Sequence, residues 1–179
     1  LQVLKNNSGM QTPSLSAIDI AFSIAPQINA LGRLQDPRRS IQFLIGTDLD
    51  LVEQTGEVLW QLNQARKEIE KSILADIEHA IKIKQIDLDN ENVIIAGNKN
   101  WTSGVIGLVA SRLVEAYGKP AILFHLTPDG TAKGSCRSIS EFDIFSALSQ
   151  CSDLLNNFGG HSHAAGLSLP EKNVAELKN

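Results

Sequence analysis

The segment 159–166, with the sequence GGHSHAAG, holds the densest group of residues in the chain that could do chemistry. Gly159 and Gly160 would let backbone N–H groups approach a bound anion closely, because glycine has no side chain in the way. His161 would donate a hydrogen bond to that anion or act as an acid or base. The same pattern fits a tight strand entry with a surface histidine, and His163 fits a packed or exposed histidine better than a ligand.

A second segment, GSCRS at 134–138, contains the groups that a terminal phosphate needs. Arg137 offers a bidentate charged fork, while Ser135 and Ser138 offer hydroxyls for the remaining oxygens. Lys133 precedes Arg137 by four residues, so their side chains share a face if this segment is a regular strand. A polar strand end without any ligand is the alternative that these residues alone leave open.

A third segment, APQINALGRL at 25–34, places Asn29 and Arg33 among apolar residues. We expect a short helix at 16–24 that ends at Pro26, because proline breaks helix hydrogen bonding. A polar loop would follow at 27–39. Asn29 and Arg33 would then contact a ligand, or would cap the loop and face solvent.

The segment WTSGVIG at 101–107 leads into a predicted helix. Thr102 or Ser103 would cap that helix, and its free N–H groups would suit an anion. Trp101 would stack on a base or pack in the core. Gly107 would allow close packing between helix and sheet, and Arg112 would form an ion pair or contact a phosphate.

Composition narrows the class of protein. The 179 residues carry 16 basic and 20 acidic side chains, a net charge of −4, which excludes a bulk polycation. Any nucleic-acid site must therefore be a local basic cleft. No apolar run approaches 18 residues, and the two cysteines form no CxxC pair. We expect a cytoplasmic protein with reduced thiols and no membrane segment.

The periodicity of apolar residues predicts the remaining elements. Steps of three and four from residue 48 to 84 predict one long helix, which Gly56 would weaken or bend. Beyond residue 89, strands at 93–96, 121–126, 131–137 and 165–169 alternate with helices at 104–117 and 143–150. A short helical piece is expected at 153–158, and an opening helix at 174–179. This order predicts an α/β unit with a mostly parallel or mixed sheet.

The ends of the sequence suggest a piece of a longer protein. The chain begins at Leu1, its only methionine is Met10, and the helix that opens at 174 has no C-cap. The sequence also lacks a D-H-H or H-E-x-x-H arrangement that would hold divalent metals for hydrolysis. We therefore expect part of an active site to be absent from this chain.

Taken in order, these segments resemble the RecJ family of single-strand-specific 5′ to 3′ DNA exonucleases, within the DHH phosphoesterase superfamily. The resemblance rests on APQINALGRL at 25–34, LNQARKEIE at 62–70, WTSGVIGLVASRLVEAYGKPAI at 101–122, GSCRS at 134–138 and FGGHSHAAGLSL at 158–169. The GGHxxAAG element marks the wider DHH-associated domain, whereas APxINAxGR and GSxRS together indicate the RecJ type.

The resemblance implies a fold of the α/β class in three parts. Residues 1–48 would end an α/β DHH domain, 49–88 would form a long connecting helix, and 89–179 would form a truncated α/β DHH-associated, substrate-binding domain with a mixed sheet. The two-metal site, with Mn²⁺ or Mg²⁺, would lie in an upstream domain. We therefore expect no metal ligands and no catalytic residue in this piece, apart from an assisting role for His161.

The resemblance also assigns the substrate and the partners. The parent protein would hydrolyse single-stranded DNA from its 5′ end in DNA repair and recombination, together with a single-strand-binding protein and a helicase. The residues expected to bind the DNA phosphates are Asn29, Arg33, Ser135, Arg137, Ser138, Gly159, Gly160 and His161.

Two other functions remain open at this point. One is a nanoRNase or phosphoadenosine phosphatase of the same superfamily, which would share GGHxxAAG and act on very short substrates. The other is a non-catalytic nucleic-acid-binding module, which a net charge of −4 disfavours as a general binder.

Overall fold

The computed structural model of the chain describes residues 1–12 and 14–178. The described chain packs as two compact units, Leu1–Glu68 and a second that begins at Ile69. The division between them falls inside one helix, α5, which spans Leu49–Lys82 and therefore belongs to both. The predicted domain boundaries at 48 and 88 stay predictions.

The first unit is helical throughout its regular structure. The core of this unit consists of Leu4, Ile24, Leu31, Phe43 and Leu59. Before α5, its helices are α1 (Gln2–Asn7), α2 (Ala17–Asp19), a π-helical turn (Ile20–Ile24), α3 (Ala25–Leu34) and α4 (Arg38–Ile45).

The predicted helix end at Pro26 and the predicted loop at 27–39 are wrong. The chain stays helical from Ala17 to Leu34, and Pro26 lies in the first turn of α3. A π-helical turn precedes it, in which the N–H of Ala25 donates to the carbonyl oxygen of Ile20, five residues back. This wider turn accommodates a proline, which has no N–H to donate and is tolerated in a first helical turn.

The long helix predicted at 48–84 is confirmed as α5, with 34 residues. It runs through Gly56 without a break. A side chain at Gly56 would collide with Val3 of α1, and Asn7 Nδ2 donates to the Gly56 carbonyl oxygen at 3.0 Å. Gly56 therefore serves close packing of α1 against α5 rather than a bend.

The second unit is built on a mixed sheet, as predicted. In the described chain its five strands lie in the order β1-β2-β3-β5-β4, with β1 parallel to β2 and every other neighbouring pair antiparallel. The strands are β1 (Ile94–Asn98), β2 (Ala121–Leu126), β3 (Thr131–Arg137), β4 (Asn157–His161) and β5 (Ala164–Pro170).

The helices of this unit largely follow the sequence pattern. Helix α6 (Ser103–Tyr117) ends at Gly118, whose φ of 61° is the left-handed conformation that favours glycine. Helix α7 (Ile144–Gln150) begins at Asp143, which accepts a hydrogen bond from Ser146 N. The predicted helical piece at 153–158 is wrong: a 3-10 turn occupies Ser152–Leu154, and the chain then enters β4.

A 3-10 turn at Glu171–Asn173 and the short helix α8 (Val174–Leu177) complete the described chain. Asn179, the end of the helix predicted at 174–179, lies outside the described residues. No helix within residues 1–12 and 14–178 combines the length and the apolar character needed to cross a membrane.

The two faces of the sheet differ. One face, which we call the filled face, packs under α7, and its core includes Ile122, Phe124, Cys136, Ile144, Leu148, Ala165, Leu167 and Leu169. On the opposite face, α6 packs over β2 and β3. We call this opposite side the open face, because β5 and β4 expose residues there.

Candidate functional site

The register of three strands gathers most of the predicted binding residues on the open face. Ser135 of β3 pairs with Gly166 of β5, which pairs with Gly159 of β4. Arg137 pairs with Ala164, and Ala164 pairs with His161. Since partners in a sheet share a face and side chains alternate along each strand, these residues form two adjacent rows on one side.

Glycine makes the middle of this face a bare floor. Gly159 and Gly166 are exposed, and a Cβ at Gly159 would meet no atom within 4 Å. The backbones of β3 and β4 lie about 10 Å apart, twice the spacing of neighbouring strands. A flat ligand group can therefore reach the backbone at Gly166 and Gly159, beside Ser135.

Ser135 and Arg137 present hydrogen-bond donors beside this floor. Arg137 Nη1 donates to Ser135 Oγ at 3.2 Å and to the Cys136 carbonyl oxygen at 2.7 Å. Within the described chain, no hydrogen bond uses the guanidinium Nε or Nη2. The Ser135 hydroxyl accepts from Arg137, so its own proton is free to donate. Such a set of donors suits an anion and would repel a cation.

Gly107 of α6 positions this pair. A Cβ at Gly107 would lie 2.7 Å from Ser135 Oγ and 3.1 Å from Arg137 Nη2. The helix therefore approaches β3 at the point where the two side chains lie, and the prediction that Gly107 allows close helix–sheet packing is confirmed.

Cys136 lies between these two residues but faces the filled side. It is fully buried, and burial raises the pKa of its thiol to about 12, although the charge of Arg137 partly opposes this. Its thiol therefore stays protonated at neutral pH and takes no part in the open face.

Ser138 follows β3 and is used within the protein. Its N–H donates to the His163 carbonyl oxygen at 2.9 Å, and its hydroxyl donates to the Phe142 carbonyl oxygen at 2.6 Å. Ile144 N also donates to the Ser162 carbonyl oxygen at 3.1 Å. These bonds tie the β4–β5 turn to the start of α7, so Ser138 holds the hairpin instead of offering a donor to a ligand.

Three candidate residues lie in or beside α6, and the structure does not use them as the sequence analysis allowed. Trp101 is buried, and its indole N–H donates to Asp76 Oδ2 of α5 at 2.9 Å, so stacking on a base is excluded in this conformation. Arg112 forms an ion pair with the buried Glu70 of α5. Thr102 is the N-cap residue of α6, but its hydroxyl makes no capping hydrogen bond.

Asn29 and Arg33 belong to the first unit, on helix α3. Asn29 is exposed and Arg33 is half-buried. The polar residue that is buried in this helix is Gln27, which donates to the Leu4 and Ser23 carbonyl oxygens at 3.0 and 2.8 Å. The ligand-binding roles of Asn29 and Arg33 stay predictions.

The sequence interpretation missed two parts of the site. It did not assign β4 as a strand, and it did not name Gly166 as a site residue. The available signal was the alternation from Ala164 to Leu169, in which Gly166 shares its face with Ala164.

The residues present do not fit a metal site. Among residues 1–12 and 14–178, no group of three or more His, Cys, Asp or Glu side chains comes close enough to hold a metal ion. The Arg137 guanidinium beside the glycine floor has no lone pair to ligate a cation, and its positive charge would repel one.

Together these features define an α/β sheet domain with a donor-lined open face, backed by helices. The chain belongs to the DHHA1 domain family, whose model matches residues 90–179. The GGHSHAAG segment lies within the matched range and forms the end of β4, the turn and the start of β5.

Relatives extend the likeness over the whole chain. The single-stranded-DNA-specific exonuclease RecJ of Bacillus subtilis is 36% identical over 162 residues, covering 89% of this chain and 20% of its own. RecJ of Salmonella typhimurium is 35% identical over 185 residues, covering 99% of this chain and 32% of its own. The chain thus spans about a fifth to a third of these proteins. The resemblance to the RecJ family is confirmed.

The fold of the chain is similar to that of solved RecJ structures. The crystal structure of RecJ in complex with Mg²⁺ from Thermus thermophilus matches 99% of this chain and 26% of its own, with 29% identity and a TM-score of 0.82. The crystal structure of exonuclease RecJ bound to manganese matches 99% of this chain and 42% of its own, with 30% identity and a TM-score of 0.80. The α/β fold class is confirmed.

Proposed function

We propose that this chain is part of a single-stranded-DNA-specific exonuclease, and that its second unit binds the phosphates of the DNA. The observation that carries the proposal is the register that lines up Ser135, Arg137, Gly159 and His161 on the open face. The relatives named above support the choice of substrate. The whole protein would remove nucleotides from the 5′ end in DNA repair and recombination.

Each group on the open face has a role in this proposal. The 5′ phosphate binds Ser135 and Arg137, whose free O–H and N–H donors match its oxygens. The next phosphate, where the strand is cut, lies on the glycine floor at Gly159 and Gly166. His161 contacts that phosphate from the end of β4, and Gly160 shapes the strand there.

The rest of the reaction depends on residues beyond those described. Mn²⁺ or Mg²⁺ would activate water in another part of the protein, as the metals of the related crystal structures suggest. This chain would hold and orient the DNA. Asn29 and Arg33 are proposed further DNA contacts, and a single-strand-binding protein and a helicase are proposed partners in the cytoplasm.

Fluorescence anisotropy tests the end recognition directly. The 179-residue chain is titrated with a short single-stranded DNA that carries a 5′ phosphate or a 5′ hydroxyl. We expect tighter binding of the phosphorylated end. Arg137→Gln should weaken this binding about 10- to 100-fold, because a charged hydrogen-bonding group contributes roughly 1.5–3 kcal/mol.

The matched control is Lys82→Gln, which makes the same charge change on an exposed lysine in the last turn of α5. The control should bind the phosphorylated DNA nearly as well as the original chain. Equal affinity for both ends, or no effect of Arg137→Gln, would contradict the assignment of the 5′ phosphate. Affinity that falls as the oligonucleotide lengthens would favour the nanoRNase-type function instead.

A further inference from the structure

A third row of polar residues crosses the open face beside the two rows already described. Lys133 of β3 pairs with Ser168 of β5, and Ser168 pairs with Asn157 of β4. Each lies two positions along its strand from Ser135, Gly166 or Gly159, so side-chain alternation puts all three on the open face. We call these three residues the lysine row.

The lysine row is available to a ligand. Lys133 and Asn157 are exposed and Ser168 is half-buried. Within the described chain, no hydrogen bond or ion pair engages any of the three side chains. Ammonium, amide and hydroxyl groups all donate hydrogen bonds, and Lys133 adds a full positive charge. This row therefore attracts an anion for the same reason as Ser135 and Arg137.

The spacing of the rows matches a nucleic-acid backbone. Positions two residues apart on a strand are separated by about 6.7 Å, from a rise of about 3.3 Å per residue. Consecutive phosphates of an extended single strand are separated by a comparable distance. A DNA strand that has one phosphate on the glycine floor can therefore place its next phosphate over Ser168, between Lys133 and Asn157.

We propose that the lysine row binds the phosphate that follows the scissile one, so that the open face holds three consecutive phosphates. The inference rests on the proposed function, which assigns the first phosphate to Ser135 and Arg137 and the second to the glycine floor. In this arrangement Lys133 is a positioning residue: it holds the 3′ continuation of the strand and thereby favours oligonucleotides over shorter products.

Ligands that differ by one phosphate test this assignment. The 179-residue chain is titrated, with NMR detection, with 5′-phosphorylated thymidine dinucleotide and trinucleotide, which carry two and three phosphates. Lys133→Gln should weaken the trinucleotide about five- to tenfold and the dinucleotide less than about twofold, since one charged contact is lost only where a third phosphate exists. The slope of log K against log salt for the trinucleotide should fall by about 0.7.

Three further variants separate the charge of Lys133 from other effects on binding. Lys133→Arg keeps the charge and should retain trinucleotide binding and its salt slope. Lys82→Gln removes a charge away from the sheet and should change neither ligand. Asn157→Ala should weaken only the trinucleotide, by about two- to threefold.

The outcomes distinguish this inference from the proposed function. Equal weakening of both ligands by Lys133→Gln, or no effect on either, would overturn the assignment of the lysine row. The proposed function would survive that result provided that Arg137→Gln still weakened both ligands. If Arg137→Gln changed neither ligand, or if the chain bound neither, the proposed function and this inference would both fail.

Discussion

The filled face and the open face of the sheet are made by the same strands, yet along β5 the residues of the filled face are buried and those of the open face are exposed or half-buried. On the filled face, Phe124, Leu167 and Leu169 are buried, and the first two fill the space over Gly134. A Cβ at Gly134 would lie 2.5 Å from Phe124 Cε1 and would also overlap Leu167. On the open face, a Cβ at Gly159 would meet nothing within 4 Å.

Because of this difference, substitutions on the filled face should change the free energy of unfolding, whereas substitutions on the open face should change ligand binding. A buried apolar side chain contributes to the free energy of unfolding, whereas an empty exposed position contributes almost nothing. The two glycines of the GGHSHAAG segment therefore differ in the reason that favours glycine. Gly160 is required by its neighbours in the protein, whereas a side chain at Gly159 would meet none of them, and the proposed function gives Gly159 its role in the close approach of a ligand.

Gly160→Ala should have the largest effect on stability. Gly160 has a φ of 148°, and a Cβ there would lie 2.5 Å from the Ala165 Cα and 2.9 Å from its Cβ. Because the nearest atoms belong to backbone, the strand must shift, and we expect a loss of about 3 kcal/mol in the free energy of unfolding. Urea denaturation followed by circular dichroism measures it. A loss below about 0.5 kcal/mol would show that β4 accommodates the methyl group easily, and Gly160 would then not differ from Gly159 in this respect.

The buried thiol of the filled face predicts a pH dependence. The pKa of Cys136 is raised from 9.0 to about 12 by burial, so above pH 9 the unfolded chain releases this proton while the folded chain keeps it. Stability is therefore fully present below pH 9 and is lost as pH rises towards 12. Between pH 8 and pH 10 the loss should be about 1.4 kcal/mol.

Urea unfolding at the two pH values, compared among variants, isolates this effect. Cys136→Ala should lose that part of the pH dependence, and Cys151→Ala, at a half-buried thiol, should retain it. If the free energy of unfolding had the same pH dependence in the original chain and in Cys136→Ala, the Cys136 thiol would not be shielded from water in the folded protein.

Gly159→Ala should have the smallest effect on stability and still impair binding. The added methyl group has open space, so the free energy of unfolding should change by no more than about 0.5 kcal/mol. The same methyl group would stand on the floor where a phosphate is proposed to lie. Anisotropy with 5′-phosphorylated DNA should show weaker binding, and unchanged affinity would mean that the ligand does not approach this glycine.

Local sequence patterns predicted much of the second unit. The bounds of β2 and β3 agree with the prediction at every residue, because Pro120 and Pro128 flank the apolar run of β2 and the turn at Gly130 precedes β3. The Asp143 cap and the Gly118 helix end are also local devices, set by a few neighbouring atoms. Within the motif GSCRS, alternation alone places Ser135 and Arg137 together and Cys136 opposite.

The remaining features depend on contacts between distant segments. Nothing near Trp101 in the sequence indicates that Asp76 accepts its indole N–H, and nothing near Arg112 indicates the pairing with Glu70. Pro26 ends a helix by local rules, and the chain avoids this with a π-helical turn that packs Ile24 into the core of the first unit.

The sequence by itself determined the residue types of the site, on which the family resemblance rests. It also determined the strand that carries Ser135 and Arg137, because short-range sterics and side-chain alternation act within a few residues. Only the tertiary structure decided that β5 lies between β3 and β4. That pairing brings Gly166 and Gly159 into line with Ser135, and it creates both the floor and the lysine row. Strand order depends on which surfaces bury one another across the chain, and no local pattern encodes that choice.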